Sequence, residues 1–482
     1  MTTTHSNFQS INAPRIQKLS QDQLERIHFA SLEILERTGV RLHLPEAVEL
    51  LKNAGAHVSE GNRVRIPSQL VEWALNAAPK RVVLANRLGE RVMPLERYNV
   101  FYGPGSDCQN VIDISTGERR PGVLQDIVEG IRVCDALPNI DFIMSLTNAS
   151  DVPQALTGLY QMQAMLSNSI KPIMFVTNEF ESAVKVVEMA EIVAGGANAL
   201  RINPFCALYT NVTAPLVHNK EALQKLLFMA EKGLPTTYTP VVLRGANGPV
   251  TLAGAIAYAN AGELAGLTLA QLKHQGTPVI ISGGTQNMLD MRTMVDIFVS
   301  PLNRTMCVEM AHYYGLPIFG LAGASDSKLP DQQAAAECAL SLFSETLAGS
   351  HLIHDVGYLD GGMTNSIEMI VMADEIISWI KEFMRAIVVD DETLALDWID
   401  QVGPEGDFMA LKHTRDHYRE DWYAKLFNRK SYTSWAEDGQ LSLRDRAGKE
   451  ARRILDEHRP DPLPEDVESA VQAVIDDAVE SS

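Results

Sequence analysis

Gly233-Leu234-Pro235-Thr236-Thr237-Tyr238-Thr239 is the stretch on which the fold turns. Glycine stops a helical run, proline follows two residues later, and a β-type run begins at once. The same introduction recurs at Gly276-Thr277-Pro278 before Val279–Ser282 and at Gly315-Leu316-Pro317 before Ile318–Leu321. Further β-type runs lie outward on both sides, at Val100–Gly103, Phe142–Ser145, Ile173–Thr177, Phe205–Thr210 and His351–Val356. Each is followed by a crossover long enough to join parallel strands. Eight runs spaced roughly 30–45 residues apart predict an α/β fold, a TIM-type (β/α)8 barrel over residues 100–390. A dinucleotide-binding open sheet would carry Gly-x-Gly-x-x-Gly after its first strand, and none stands there. An open α/β sheet with fewer true strands is the alternative reading.

Residues 1–99 read as an N-terminal α+β cap. Ser20 and Gln23 make a capping box, and Leu24, Ile27, Ile34 and Leu35 follow at helical spacing until Gly39. Further helices open at Pro45 and Pro67, while Val82-Val83-Leu84 and Arg91-Val92-Met93 read as strands. Residues 391–482 read as a C-terminal helical extension packed on the barrel, charged and aromatic through Trp398, Tyr418, Trp422, Phe427, Tyr432 and Trp435. Pro460-Asp461-Pro462-Leu463-Pro464 then breaks the chain before an acidic helix, Glu465–Val479. Its Val467, Ala470, Val471, Val474 and Ile475 form an apolar stripe of the kind that docks on its own chain or on a twin subunit of a homo-oligomer.

The 482 residues are 46% apolar and 21% charged, which excludes disordered, collagenous and coiled-coil classes. A net charge of −20 argues against a nucleic-acid or anionic-lipid partner. It serves solubility, and its field favours cationic small molecules. Met1–Asn12 has neither the basic nor the apolar region of a secretory signal, and no apolar run spans a bilayer. Thr251–Leu272, with Glu263 in its middle, reads as a buried helix. Five scattered cysteines (Cys108, Cys134, Cys206, Cys307, Cys338) fit reduced thiols of a cytoplasmic protein.

In such a barrel the chemistry sits at the carboxyl ends of the strands. Those ends read Gly103-Pro104-Gly105-Ser106-Asp107, Ser145-Leu146-Thr147-Asn148, Thr177-Asn178-Glu179, Tyr209-Thr210-Asn211 and Tyr238-Thr239-Pro240. The last three are Ser282-Gly283-Gly284-Thr285-Gln286, Gly323-Ala324-Ser325-Asp326-Ser327-Lys328 and His354-Asp355-Val356-Gly357-Tyr358. They are rich in Ser, Thr, Asn and Tyr and poor in clustered carboxylates. On a regular strand His351 and Asp355 share a face while His354 points away, so the three cannot converge on a metal. Gly323-Ala324-Ser325 offers amides for a phosphate, and Lys328 is the candidate Schiff-base lysine. No nucleophile elbow, P-loop or zincin helix is present. Phe101, Tyr102, Tyr209, Tyr238 and Tyr358 lie at or near strand ends, where aromatic faces can hold a quaternary ammonium by cation–π attraction. Rings at these positions serve equally well as ordinary core.

The sequence resembles the trimethylamine methyltransferase family. The likeness is carried by Gly103-Pro104-Gly105-Ser106, Asp113-Ile114-Ser115-Thr116-Gly117-Glu118-Arg119-Arg120 and Leu137-Pro138-Asn139-Ile140-Asp141. It continues through Gly323-Ala324-Ser325-Asp326-Ser327-Lys328, Asp331-Gln332-Gln333-Ala334, Leu347-Ala348-Gly349 and Met372-Ala373-Asp374-Glu375. The resemblance implies a TIM-type barrel that moves a methyl group from an amine to the cobalt of a separate corrinoid (cobalamin-type) protein. Archaeal trimethylamine enzymes of that family carry pyrrolysine, whereas every position here is a standard residue. The implied substrate is therefore a quaternary amine, glycine betaine first, with proline betaine, carnitine or trimethylamine behind it. A quaternary ammonium leaves as a neutral amine, so the protein needs only to position the methyl and exclude water. No catalytic group or resident metal is required.

Phe101, Tyr102, Tyr209 and Tyr358 are then expected to wall the ammonium group. His354 is expected to bind the substrate carboxylate, with His351 and Gln333 as further substrate-binding candidates. Gly103, Gly105, Ser106, Gly323 and Asp326 would face the corrin ring. Two other readings stand beside this one: a barrel lyase or aldolase acting on a phosphorylated substrate, and a non-catalytic betaine or corrinoid binder.

Overall fold

The computed structural model describes residues 14–282 and 286–480. Met1–Asn12 and the loop residues Gly283-Gly284-Thr285 lie outside the described residues. The expected glycine–proline punctuation organises the centre of the chain. Gly233 ends the helix Lys220–Lys232 and Gly315 the helix Pro301–Tyr314, both in the left-handed conformation that a side chain resists. The prolines that follow lack an N–H but use their carbonyls. Pro172, Pro235, Pro278 and Pro317 accept hydrogen bonds from Ile143, Leu208, Thr236 and Ile281 at 2.9–3.3 Å, which start the parallel ladders.

Those ladders run in chain order. Cys206–Val212 lies between Ile173–Phe175 and Thr236–Pro240, and Thr236–Pro240 pairs with Val279–Ile281. Single parallel bridges join Ile281 to Ile318 and Ile143 to Ile173. Phe319–Leu321 pairs with Leu352–His354, which pairs in turn with Phe101–Tyr102. The Tyr102 carbonyl accepts from Asp141 and Phe142 at 2.6 and 3.3 Å, so the eighth segment leads back through the first to the second. The strands are short, and the segment at 142–146 is tied by single bonds rather than a ladder.

Alternation along these strands sorts the side chains into two environments. Phe101, Phe142, Met144, Met174, Ala207, Ile280, Phe319 and Leu352 share one apolar group. Tyr102, Ile143, Ile173, Phe175, Leu208 and Ile353 instead pack with the helices. Val82, Leu84, Met93 and Leu95, from the antiparallel hairpin Val82–Ala85/Arg91–Leu95, belong to the first group. Ala85 N–H donates to Pro204 O and Arg87 N–H to Ile170 O, both at 2.8 Å. The hairpin thus stops the amino-terminal end of the strands, while segments that follow the strands form further small sheets.

The other N-terminal elements, Gln21–Glu33, Pro45–Asn53 and Ser68–Ala77, pack on the helix Leu252–Lys273, which buries Glu263. The Ser20/Gln23 capping box forms. At the other end, Glu465–Glu480 docks on Thr157–Asn168 and Phe180–Ala194 with Val471, Val474 and Ile475 buried. The helix Leu443–Glu457 lies against Ile367–Phe383. Between them Leu426 and Phe427 pack against the main core and Trp422 stacks on Trp379 of Ile367–Phe383, though no residue of 385–446 is fully buried. Tyr418 and Tyr432 are exposed and Trp398 is half-buried. No helix among the described residues is long and apolar enough to cross a membrane. All five cysteines are buried and unbridged.

Candidate functional site

A cavity at the carboxyl ends of the strands is lined by Tyr209, Thr239, Ser282, Arg304, Phe319, His354 and their neighbours. The His354 ring stacks on Phe319 (centroids 3.9 Å apart) and meets Tyr209 edge-on at 5.6 Å. Its Nδ1 lies 2.5 Å from Gly320 O. A carbonyl only accepts, so Nδ1 carries the proton and neutral His354 turns a lone pair at Nε2 toward Asp355 Oδ1, 3.6 Å away. Burial pushes the His354 pKa down against the pull of Asp355, and burial pushes the Asp355 carboxyl up.

The backbone at this end is strained. Asp107, Leu146 and Asp355 all have positive φ (66°, 64° and 69°), at the ends of the first, second and eighth strands. The turn at Asp355 breaks the regular alternation, so Asp355 lies beside His354 rather than sharing a face with His351. Asp107 accepts from Ser106 Oγ at 3.0 Å, and its carboxyl is pushed up by burial and, more weakly, by the charge of Asp355. The strand ends therefore bring two acids within electrostatic reach, where the sequence listed them far apart.

Two more groups were not among the residues expected from sequence. Arg304, on Pro301–Tyr314, reaches the same cavity and donates from Nη1 to Leu321 O (3.1 Å) and from Nη2 to Phe298 O (2.6 Å). Behind the seventh strand Glu345 is fully buried, and burial pushes its carboxyl to about 8 against the opposing charge of Arg304. Both come from helices rather than strand ends. A charged residue next to a helix start or inside an apolar helix was the only sequence signal.

Of the aromatic set, the structure brings only Tyr209 to the cavity beside His354. Phe101 lies deeper, among the apolar group that the hairpin stops. Tyr102 faces outward: its hydroxyl pairs with Thr346 Oγ1 at 2.8 Å, and Lys381 Nζ sits 5.3 Å over the ring. Tyr238 also faces outward, paired with His218 Nδ1 at 2.6 Å. Tyr358 is buried with Cys108 and Ala324, donating to Leu146 O at 2.5 Å. His351 sits at the opposite, amino-terminal end, where its Nδ1 accepts from Ile318 N–H at 3.2 Å and burial lowers its pKa to about 3. Gln333 is exposed on the first turn of Gln332–Ala348 and donates to Glu337.

The three glycines are sealed by the chain's own packing. A Cβ on Gly103 would sit 2.4 Å from the Phe142 ring, and one on Gly105 2.0 Å from Asp355 Oδ1 and 2.5 Å from the Tyr358 ring. Gly323, at φ +84°, would bring a Cβ to 3.0 Å from Val356 Cα. All three are buried. Ser106 and Asp326 are half-buried, and Asp326 accepts from the N–H groups of Phe298 (3.2 Å) and Val299 (3.3 Å). Lys328 points away into an ion pair with Asp360 at 3.1 Å.

A family model described as trimethylamine methyltransferase (MTTB) matches residues 2–481. A trimethylamine methyltransferase MttB of Desulfitobacterium hafniense is 31% identical over 462 residues, 95% of this chain and 93% of that protein. A glycine betaine methyltransferase from another strain of the same species is 31% identical over 468 residues, 96% of this chain and 97% of that one. The crystal structure of the Methanosarcina barkeri monomethylamine methyltransferase shares the fold, with a TM-score of 0.50 at 11% identity over 92% of this chain and 88% of that one. Likeness that runs from end to end, rather than through one shared motif, makes this chain a member of the trimethylamine methyltransferase family.

Proposed function

We propose that the protein transfers a methyl group from a quaternary amine, glycine betaine first, to the Co(I) of a corrinoid carried by a separate protein, leaving dimethylglycine. The observation that carries this reading is the Tyr209 ring meeting His354 at 5.6 Å, with Asp355 Oδ1 3.6 Å from that histidine, at one end of the strands. An aromatic face attracts a cation that has no proton to donate. The relative named glycine betaine methyltransferase supports the same substrate class. Carboxylate recognition falls to Arg304 rather than His354, because the one N–H of neutral His354 is spent on Gly320.

The pairings described above support a single closed (β/α)8 barrel over residues 100–390, stopped below by a cap of residues 1–99 and flanked by an extension of residues 391–482. The corrinoid protein docks at the carboxyl end of the strands, where the cavity lies. The deciding experiment follows the spectrum of free Co(I) cobalamin with the protein and a panel of methylamines. Methylation with glycine betaine and not with trimethylamine is expected. Equal rates with both amines overturn the quaternary-amine reading, and betaine binding without methyl transfer to free cobalamin or to a corrinoid protein leaves a binder.

A further inference from the structure

Residues 385–446 have no buried side chain and no cysteine. The part around residues 422–427 is tied to the helix Ile367–Phe383 through Glu375 and Ser378, while the part around residues 391–417 makes few such contacts, and a bound metal is one way to hold it. Within it, Glu392 of the short helix Asp391–Leu394 meets His413 and His417 of the helix Lys412–His417. One ligand atom from each of the three lies within 4.8 Å of the other two. We propose that Glu392, His413 and His417 bind a zinc ion that clasps this arm together.

The donor set suits zinc. Four-residue spacing puts both imidazoles on one helix face, with centroids 4.5 Å apart. Ligand atoms around a tetrahedral zinc bonded at about 2.0–2.1 Å stand roughly 3.4 Å apart. His417 Nε2 and Glu392 Oε1 already stand 3.4 Å apart. On its other side His417 Nδ1 lies 2.9 Å from Glu420 Oε1. A carboxylate on the far nitrogen fixes a ligating imidazole's tautomer and turns its lone pair to the metal. His413 supplies a second sign, because its Nε2 is shielded from solvent and has no hydrogen-bond partner among the described residues. A buried nitrogen left unmatched calls for an occupant. Two His and one carboxylate leave a fourth position for water, and the exposed Glu392 leaves the ion a way in.

The test uses the full chain, stripped with a chelator and titrated with zinc chloride by calorimetry. One zinc per chain is expected, with binding weakened at least tenfold in His413→Ala and in His417→Ala, and by about 10–100-fold in Glu420→Gln. At a free zinc concentration of 100 times Kd, protease cleavage within residues 385–446 should slow about 100-fold where it tracks local opening. Because none of the substituted side chains is buried in the core, the variants should keep the parent's thermal unfolding, and Glu392→Gln provides a further check. Absence of stoichiometric zinc, or binding unchanged in all four variants, overturns the assignment.

Discussion

Arg304 and His354 line one cavity but differ in what they can offer a ligand. A guanidinium is a lasting cation with five donors, whereas neutral His354 presents a lone pair. Arg304→Gln is expected to weaken glycine betaine by about 1.5–3 kcal/mol and choline, which has no carboxylate, far less. His354→Ala should weaken the two ligands alike. Calorimetric titration of both ligands checks this, and the reverse pattern would return the carboxylate to His354. The rings divide in the same way. Tyr209→Leu should lower betaine affinity by about 0.5–2 kcal/mol, while Tyr102→Leu, whose ring faces Thr346 and Lys381, should leave it unchanged.

Glu345 makes a pH prediction of its own. Its folded-state pKa near 8 stands above the ordinary value of 4.5. Between those values the folded protein keeps a proton that the unfolded chain has released, so this residue's contribution to stability falls as pH rises through that window. Urea unfolding at pH 5 and pH 8 should show a smaller decline in Glu345→Gln than in the parent. Equal declines would mean the carboxyl is not held protonated.

Among the elements, the hairpin Val82–Ala85/Arg91–Leu95 has the most specific structural task. Leu84 is fully buried where the hairpin stops the amino-terminal end of the strands, and the cavity lies at the other end. Leu84→Ala should therefore cost about 2–5 kcal/mol in urea unfolding while betaine affinity stays at the parent value. A parallel loss of affinity would mean that the two ends are coupled. The terminal helix is legible at this scale too. Its apolar stripe in the sequence is the face that docks on Thr157–Asn168 and Phe180–Ala194, because burying such a stripe on any adjacent apolar surface is favourable.

For the whole molecule, the charge of −20 sets a long-range field. It attracts choline, a net cation, and acts little on zwitterionic betaine. Raising ionic strength from about 0.01 M to 0.15 M shortens the screening length from about 30 Å to about 8 Å. Choline affinity should fall over that range and betaine affinity should hardly change. Equal salt dependence would show that the field plays no part in selecting ligands.

The sequence by itself determined where the chain turns. The glycine–proline introductions, the strand positions between residues 100 and 356, the Ser20 capping box and the terminal amphipathic helix depend on φ preferences and on local periodicity. Neighbours along the chain fix those properties. Family membership was legible too, because the resemblance read from short motifs agrees with a family model that matches residues 2–481. Only the tertiary structure decided which side of a strand each ring takes. Phe101 and Tyr102 are adjacent, yet one faces the enclosed apolar group and the other the helices, and strand parity is set by cross-strand registration. Left-handed turns at Asp107, Leu146 and Asp355 then break the parity where the site begins. Arg304 and Glu345 arrive from helices, so their place at the cavity depends on how whole elements pack and not on any local spacing.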